Sequence, residues 1–155
     1  MSIAKNVERY LNINQVDYDI IVHSPSRFSM ETAERAHIPG EQLAKAVILK
    51  DEDAYTMAIL PATHRIDLGV LRKQTHRNLG LATEAEMRHL FSDCNEGAIP
   101  PIGQPYNLPM LMDDSMSQLD DVYFEAGDHA QLVHMKGSEF QRLTAESELQ
   151  HFSHH

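Results

Sequence analysis

Two short apolar runs, Ala44 to Lys50 and Tyr55 to Leu60, flank the connector Asp51-Glu52-Asp53-Ala54. Their β-branched and large apolar residues read as two strands joined by a loop too polar to bury, which predicts an antiparallel hairpin that Pro61 ends. Around it, strands and helices do not alternate strictly, further hairpin-like pairs are visible, and no internal repeat appears. These features predict an α+β chain with a mixed, strongly curved sheet.

The remaining elements follow from periodicity and capping. Ile3, Val7, Tyr10 and Leu11 predict an amphipathic helix over residues 2 to about 14. Tyr18 to Val22 reads as a strand, and Ser29 as the N-cap of a helix stopped near Pro39-Gly40. Asp67 is placed to cap a helix carrying Leu68 and Leu71, and Thr83-Glu84-Ala85-Glu86 is a capping box for a helix to about Leu90. From Phe91 to Pro109 the chain has four of its seven prolines, with glycines at 97 and 103, and is predicted to be a long rigid loop. Leu108 to Met112, Val122 to Glu125 and Gln131 to Met135 are strand candidates, with Gly127-Asp128 turning between the last two. Ser138 to Gln141 caps a closing helix, and residues 144–155 read as a frayed tail.

The 155 residues, 42% of them hydrophobic, suit one domain, predicted over residues 1–143. Acidity is concentrated in the second half: residues 1–83 hold 10 basic and 10 acidic side chains, residues 84–155 hold 3 and 13, giving a net charge of -10. That disfavours a generic nucleic-acid wrapper or anionic-membrane binder. The densest positive stretch holds Arg65, Arg72, Lys73 and Arg77, which is either a polyanion contact or a solvated helix face. The single cysteine, Cys94, excludes an internal disulfide and fits a reducing cytoplasm. No signal-peptide core or membrane-length apolar stretch is visible.

Familiar catalytic motifs are missing: G-x-S-x-G, the P-loop, G-x-G-x-x-G and H-E-x-x-H are all absent. Among ten histidines none has metal-ligand spacing; His129 and His134, five apart on a predicted strand, point to opposite faces, and no metal or cofactor is predicted. Two features carry chemistry. Lys45 lies inside the apolar run Leu43 to Leu49, where its ammonium must either reach water or meet an anion. The loop Gly97-Ala98-Ile99-Pro100-Pro101 is the second: its glycine allows close backbone approach to a ligand while its prolines fix its shape. The plainer alternatives are a strand-entrance lysine and a rigid connector.

Ala44-Lys45-Ala46-Val47 and, roughly fifty residues later, Gly97-Ala98-Ile99-Pro100-Pro101 resemble the lysine and G-x-x-x-P motifs of the YbaK/prolyl-tRNA synthetase editing-domain family. The resemblance extends to His23-Ser24-Pro25, to Leu60-Pro61 with Arg65-Ile66-Asp67-Leu68, and to Val122 through Gly127. It covers roughly residues 1 to 143 and implies a mixed sheet curled into a partial barrel with surrounding helices. It implies hydrolysis of the ester of mischarged aminoacyl-tRNA, with small or polar cargo such as alanine or cysteine. Lys45, Gly97 and His129 are then the catalytic candidates, and Ala98, Ile99, Pro100, Pro101, His23 and Arg65 the substrate-binding ones. The implied partners are the acceptor end of tRNA and an aminoacyl-tRNA synthetase. Two departures stand out: Ala46 occupies a position where threonine is common, and the functional histidine could match His129 or His134, of which His129, after the Gly127-Asp128 turn, is preferred. A non-catalytic module for a free amino acid or nucleotide, and an acidic docking protein, are the competing classes.

Overall fold

The computed structural model describes residues 3–26 and 29–155. The predicted hairpin forms as β2 (Leu43–Asp51) and β3 (Ala54–Pro61), in register from Ala44 opposite Pro61 to Asp51 opposite Ala54. The pairing runs to Asp51 and Ala54 themselves, so the turn is only Glu52-Asp53, with Glu52 at φ 56. A two-residue turn with left-handed backbone matches the right-handed twist of the strands.

The hairpin is the centre of an eight-stranded mixed sheet in the order β1-β8-β7-β2-β3-β6-β9, with β5 (Gly80–Leu81) pairing the far end of β2. Here β1 is Tyr18–Val22, β6 Met110–Asp113, β7 Asp121–Glu125, β8 Gln131–Lys136 and β9 Glu148–Gln150. The pairs β2/β7, β3/β6 and β6/β9 are parallel and the others antiparallel. Both faces of the hairpin are covered. Ala44, Ile48, Met57 and Ile59 face the main core with Val7, Leu11, Phe124 and Phe140, while Leu49, Ala58 and Leu60 pack with Leu71, Leu79 and Phe152. Leu43 and Ala62 join Ala33 and Leu132 in a third cluster. A strand buried on both faces is apolar throughout rather than alternating, which is why the two runs stand out in the sequence.

Among the described residues five helices flank the sheet: α1 (Lys5–Ile13), α2 (Ser29–Ala36), α3 (Leu68–Thr75), α4 (Glu84–Leu90) and α5 (Gly137–Leu143). Asp67 caps α3 by accepting from Val70 N at 3.1 Å. The capping box on α4 is complete, with Glu86 N donating to Thr83 Oγ1 at 3.2 Å and Thr83 N to Glu86 Oε1 at 2.9 Å. Helix α1 begins at Lys5, later than predicted, because Ala4 N donates to Ala126 O at 2.6 Å and pins the entry; Ser2 of the predicted span lies outside the described residues. Ser29 is already the first residue of α2. Ser138 is likewise inside α5: that helix starts at Gly137, whose N–H goes to Asp120 O at 2.7 Å, and its cap Lys136 makes no side-chain cap bond. The segment 91–109 carries only the short 3-10 turn Gln104–Tyr106.

The expected frayed tail is corrected. Residues 148–150 extend the sheet as β9, and Ser153–His154 form β10, antiparallel to β4 (Arg65–Ile66). Phe152 is 1% exposed, its N–H donates to Asp113 Oδ1 at 2.9 Å, and its carbonyl accepts from Asp67 N at 2.7 Å. The tail completes a core, and a local reading cannot see this because its partners lie on β6 and at the start of α3. The histidine pair is also corrected. His129 precedes β8, so strand alternation does not relate it to His134. His134 points to the outside of the sheet, between Asp19 Oδ1 at 2.8 Å and Asp121 Oδ1 at 2.9 Å and stacked on Tyr123.

Candidate functional site

Lys45 lies opposite Leu60 on the central hairpin. By strand alternation it shares a face with Leu43 and Leu49, which belong to different clusters, so it occupies the gap between them. Among the described residues its half-buried ammonium meets no carboxylate. It donates to His64 O at 2.6 Å and Ala62 O at 3.3 Å, the chain just beyond β3. Two of its three N–H donors are thus used on main chain and one remains for a ligand. Burial, followed by the charge of Arg65, lowers its pKa. His64 is fixed in turn: its Nδ1 bonds Ser153 Oγ at 2.8 Å and its ring packs on His155. The C-terminal strand therefore buttresses the carbonyl that holds Lys45.

Across from Lys45 runs the loop 95–99. Ala98 N donates to Asn95 O, Asn95 N to Gly127 O, and Gly127 N to Ala98 O, at 3.1, 2.8 and 2.9 Å, strapping the loop to the β7–β8 turn. Gly127 has φ 114, and a Cβ there would stand 2.9 Å from the Ala4 Cβ, so only glycine fits between loop and α1. Gly97 has φ 79, the left-handed region where a side chain is strained, and it is exposed.

Lys45, Gly97 and Ile99 line one cleft of about 80 Å³ together with Ser29, Ala44, Met87 and Glu125. A second, mostly apolar cleft of about 220 Å³, bounded by α4, Phe91, Cys94 and Arg88, shares Met87, Gly97 and Ile99 with it. A ligand at Gly97 therefore has a polar and an apolar side. Burial pushes the Cys94 thiol up to about 12, so it is no thiolate nucleophile.

The other sequence candidates separate into two groups. His129 lines neither cleft but touches residues that do or that adjoin them: its Nε2 donates to Glu96 O beside Gly97, and its Nδ1 lies 3.4 Å from Glu125 Oε1. Arg65 is exposed on β4, close enough to Lys45 to affect its charge. Ala98, Pro100 and Pro101 are buried and line neither cleft, so they shape the loop from within. His23 is 7% exposed, with Nδ1 donating to Ser24 O at 2.7 Å and Nε2 unpartnered among the described residues, and it lies close enough to Glu125 to affect its charge. In the basic stretch, Arg72 is committed to Leu79 O and Arg77 to Asp51 and Thr56.

Glu125 is the residue that sequence reading gave no role. It is 5% exposed, accepts from Thr32 Oγ1 at 2.9 Å, and its pKa is raised by burial, a trend that Thr32 and His129 oppose. Its one sequence signal is an acid directly after the run Val122-Tyr123-Phe124. Among the described residues, Asp113, Asp114 and His151 are the group near enough to one another to share a cation. Asp113 is, however, already occupied by Ser115 and Phe152 N, and it anchors the tail.

A lysine on a central strand facing a glycine loop across a small polar cleft, in a mixed α+β fold, defines the class of domain. The chain belongs to the aminoacyl-tRNA editing domain family, whose model matches residues 23–143. Among solved structures, a hypothetical protein aligns over 97% of this chain and 100% of its own, with TM-score 0.84 and 18% identity. A candidate trans-editing enzyme for prolyl-tRNA synthetase aligns over 97% and 96%, with TM-score 0.80 and 21% identity. A candidate signal transduction protein from Marinobacter aquaeolei VT8 is covered over 31% of its length by 98% of this chain, at TM-score 0.79 and 20% identity. These likenesses establish the fold. No curated protein matches the chain by sequence.

Proposed function

We propose that the chain hydrolyses the ester linking a wrong amino acid to the terminal adenosine of tRNA, acting in trans in the cytoplasm. The observation that carries this reading is the meeting of Lys45 and Gly97, the two residues matching the family motifs, in one cleft. The free N–H of Lys45 receives a phosphate or ribose oxygen of the CCA end, with exposed Arg65 adding positive charge nearby. The Gly97 backbone orients the aminoacyl carbonyl, and His129 steadies the loop through Glu96 O. An ester needs less activation than an amide, and the ribose hydroxyl beside it can assist the attacking water, so no side-chain nucleophile is needed. A cleft of about 80 Å³ favours a small aminoacyl group. With a net charge of -10, contact is confined to the acceptor end, and its salt dependence is set by the few phosphates met there. The structural neighbour named as a trans-editing enzyme makes prolyl-tRNA synthetase the first partner to test. Among the described residues no helix is long and apolar enough to cross a membrane.

A deacylation panel of tRNAs mischarged with alanine, serine, cysteine and larger residues tests the reading. Turnover of the small aminoacyl esters, unaffected by EDTA, is expected. Absence of turnover on every ester would refute it, and loss with EDTA restored by one metal would refute the metal-free chemistry.

A further inference from the structure

The deacylase reading uses the cation and the loop of the cleft and leaves its buried carboxylate without a task. The hydrogen bond and the ion-pair contact that the described residues make with the Glu125 carboxyl both fall on one oxygen: Oε1 accepts from Thr32 Oγ1 at 2.9 Å and faces His129 Nδ1 at 3.4 Å, while His23 lies near enough to act on its charge. Thr32 is itself bonded to Ser26, so the carboxylate is oriented by a short hydroxyl chain. Oε2 has no partner among these residues, and Glu125 lines the same cleft as Lys45 and Gly97. Lys45 does not satisfy it, since its ammonium is bonded to the carbonyls of Ala62 and His64. A carboxylate this buried is costly unless a donor completes it, and the protein supplies only part of that.

The cleft thus brings together a spare cationic N–H, a spare carboxylate oxygen and the exposed main chain of Gly97. An esterified amino acid on a nucleotide carries the matching set of groups: phosphate and ribose oxygens, the ester carbonyl, and an α-amine that is substantially protonated near neutral pH. We propose that Glu125 is a specificity-determining residue that receives the α-ammonium of the aminoacyl group, so that the preferred substrate is an ester bearing a free primary amine. This rests on the deacylase reading and adds to it a reason for rejecting N-blocked and amine-free esters. A charge-assisted bond supplies discrimination that apolar contact with a small side chain cannot.

The test compares alanyl-tRNA with lactyl-tRNA made from it by nitrous acid, in which a hydroxyl replaces the amine at nearly constant size. Rates are corrected for the spontaneous lability of each ester. The wild-type protein is expected to favour the alanyl ester by about ten- to a hundredfold in kcat/KM. Glu125→Gln, which keeps an acceptor for Thr32, should lose that factor on the alanyl ester and change the lactyl ester by less than about threefold. Equal wild-type rates on the two esters overturn the proposal, and they do so even if Glu125→Gln fails to fold. Equal slowing of both esters by Glu125→Gln overturns it as well, leaving the residue a support for Thr32 and the loop. If alanyl-, seryl- and cysteinyl-tRNA are all left intact, the deacylase reading itself falls, an outcome distinct from hydrolysis without discrimination.

Discussion

The two ends of the cleft are built by different means. At one end Lys45 is a side chain on the best-paired strand of the sheet, and its position is set by two carbonyls that β3 and the C-terminal strand hold in place. At the other end Gly97 offers its own backbone on a loop without strand pairing, kept in shape by its prolines, the strap to Gly127 and a positive φ. A binding group carried on a side chain can be removed while the fold persists. A binding group that is the main chain cannot be altered without altering the loop conformation that presents it.

The largest effect should come from the support of the Lys45 end. Deleting residues 151–155 removes Phe152, which is 1% exposed, and the Ser153 contact to His64. Loss of such a buried aromatic costs about 3–5 kcal/mol. Urea unfolding should show that loss together with impaired turnover, and wild-type stability after deletion would detach the tail from the site. Next, Lys45→Ala should lower turnover about a hundredfold, while two carbonyls that lose their donor cost only about 1 kcal/mol of stability. A large fall in melting temperature with activity intact would make Lys45 a structural residue and erase the contrast between the ends.

Gly97→Val tests the opposite end. Its positive φ makes any side chain strained, so stability should fall by about 1–3 kcal/mol, and turnover by tenfold or more at a temperature where the variant is folded. Wild-type deacylation in a folded Gly97→Val protein would remove the loop from the site.

The smallest effect lies away from the cleft. Bonds from His134 to Asp121 and Asp19 outweigh its burial and raise its pKa. The protonated clasp therefore contributes fully below the ordinary histidine value of about 6.5 and is lost as pH rises through the higher folded value. Melting temperature should decline slightly over that window in the wild type and less in Asp121→Asn, with the deacylation profile unaffected by that substitution; an equal decline in both would exclude the clasp.

Local chemistry made much of this molecule legible in its sequence. The hairpin, the Asp67 cap, the Thr83–Glu86 capping box and the irregular loop from Phe91 are each specified by neighbouring residues, through burial pattern, orphan amides or proline geometry. Lys45 and Gly97 stood out for the same reason: an ammonium in an apolar strand and a glycine in a proline-rich loop are local anomalies. The tertiary structure alone decided what depends on distant partners. The acceptors for Lys45 lie nearly twenty residues along the chain. Phe152 and Ser153 turn an apparently frayed tail into a buttress only because Asp113 and Asp67 are waiting for them. Ala98, Pro100 and Pro101 turn inward, and Glu125 becomes part of the site because sheet order sets β7 beside β2, bringing the end of one strand to the cleft beside the other. Composition and spacing carry no information about such placements, since they arise from which strands pair and which faces are left to meet.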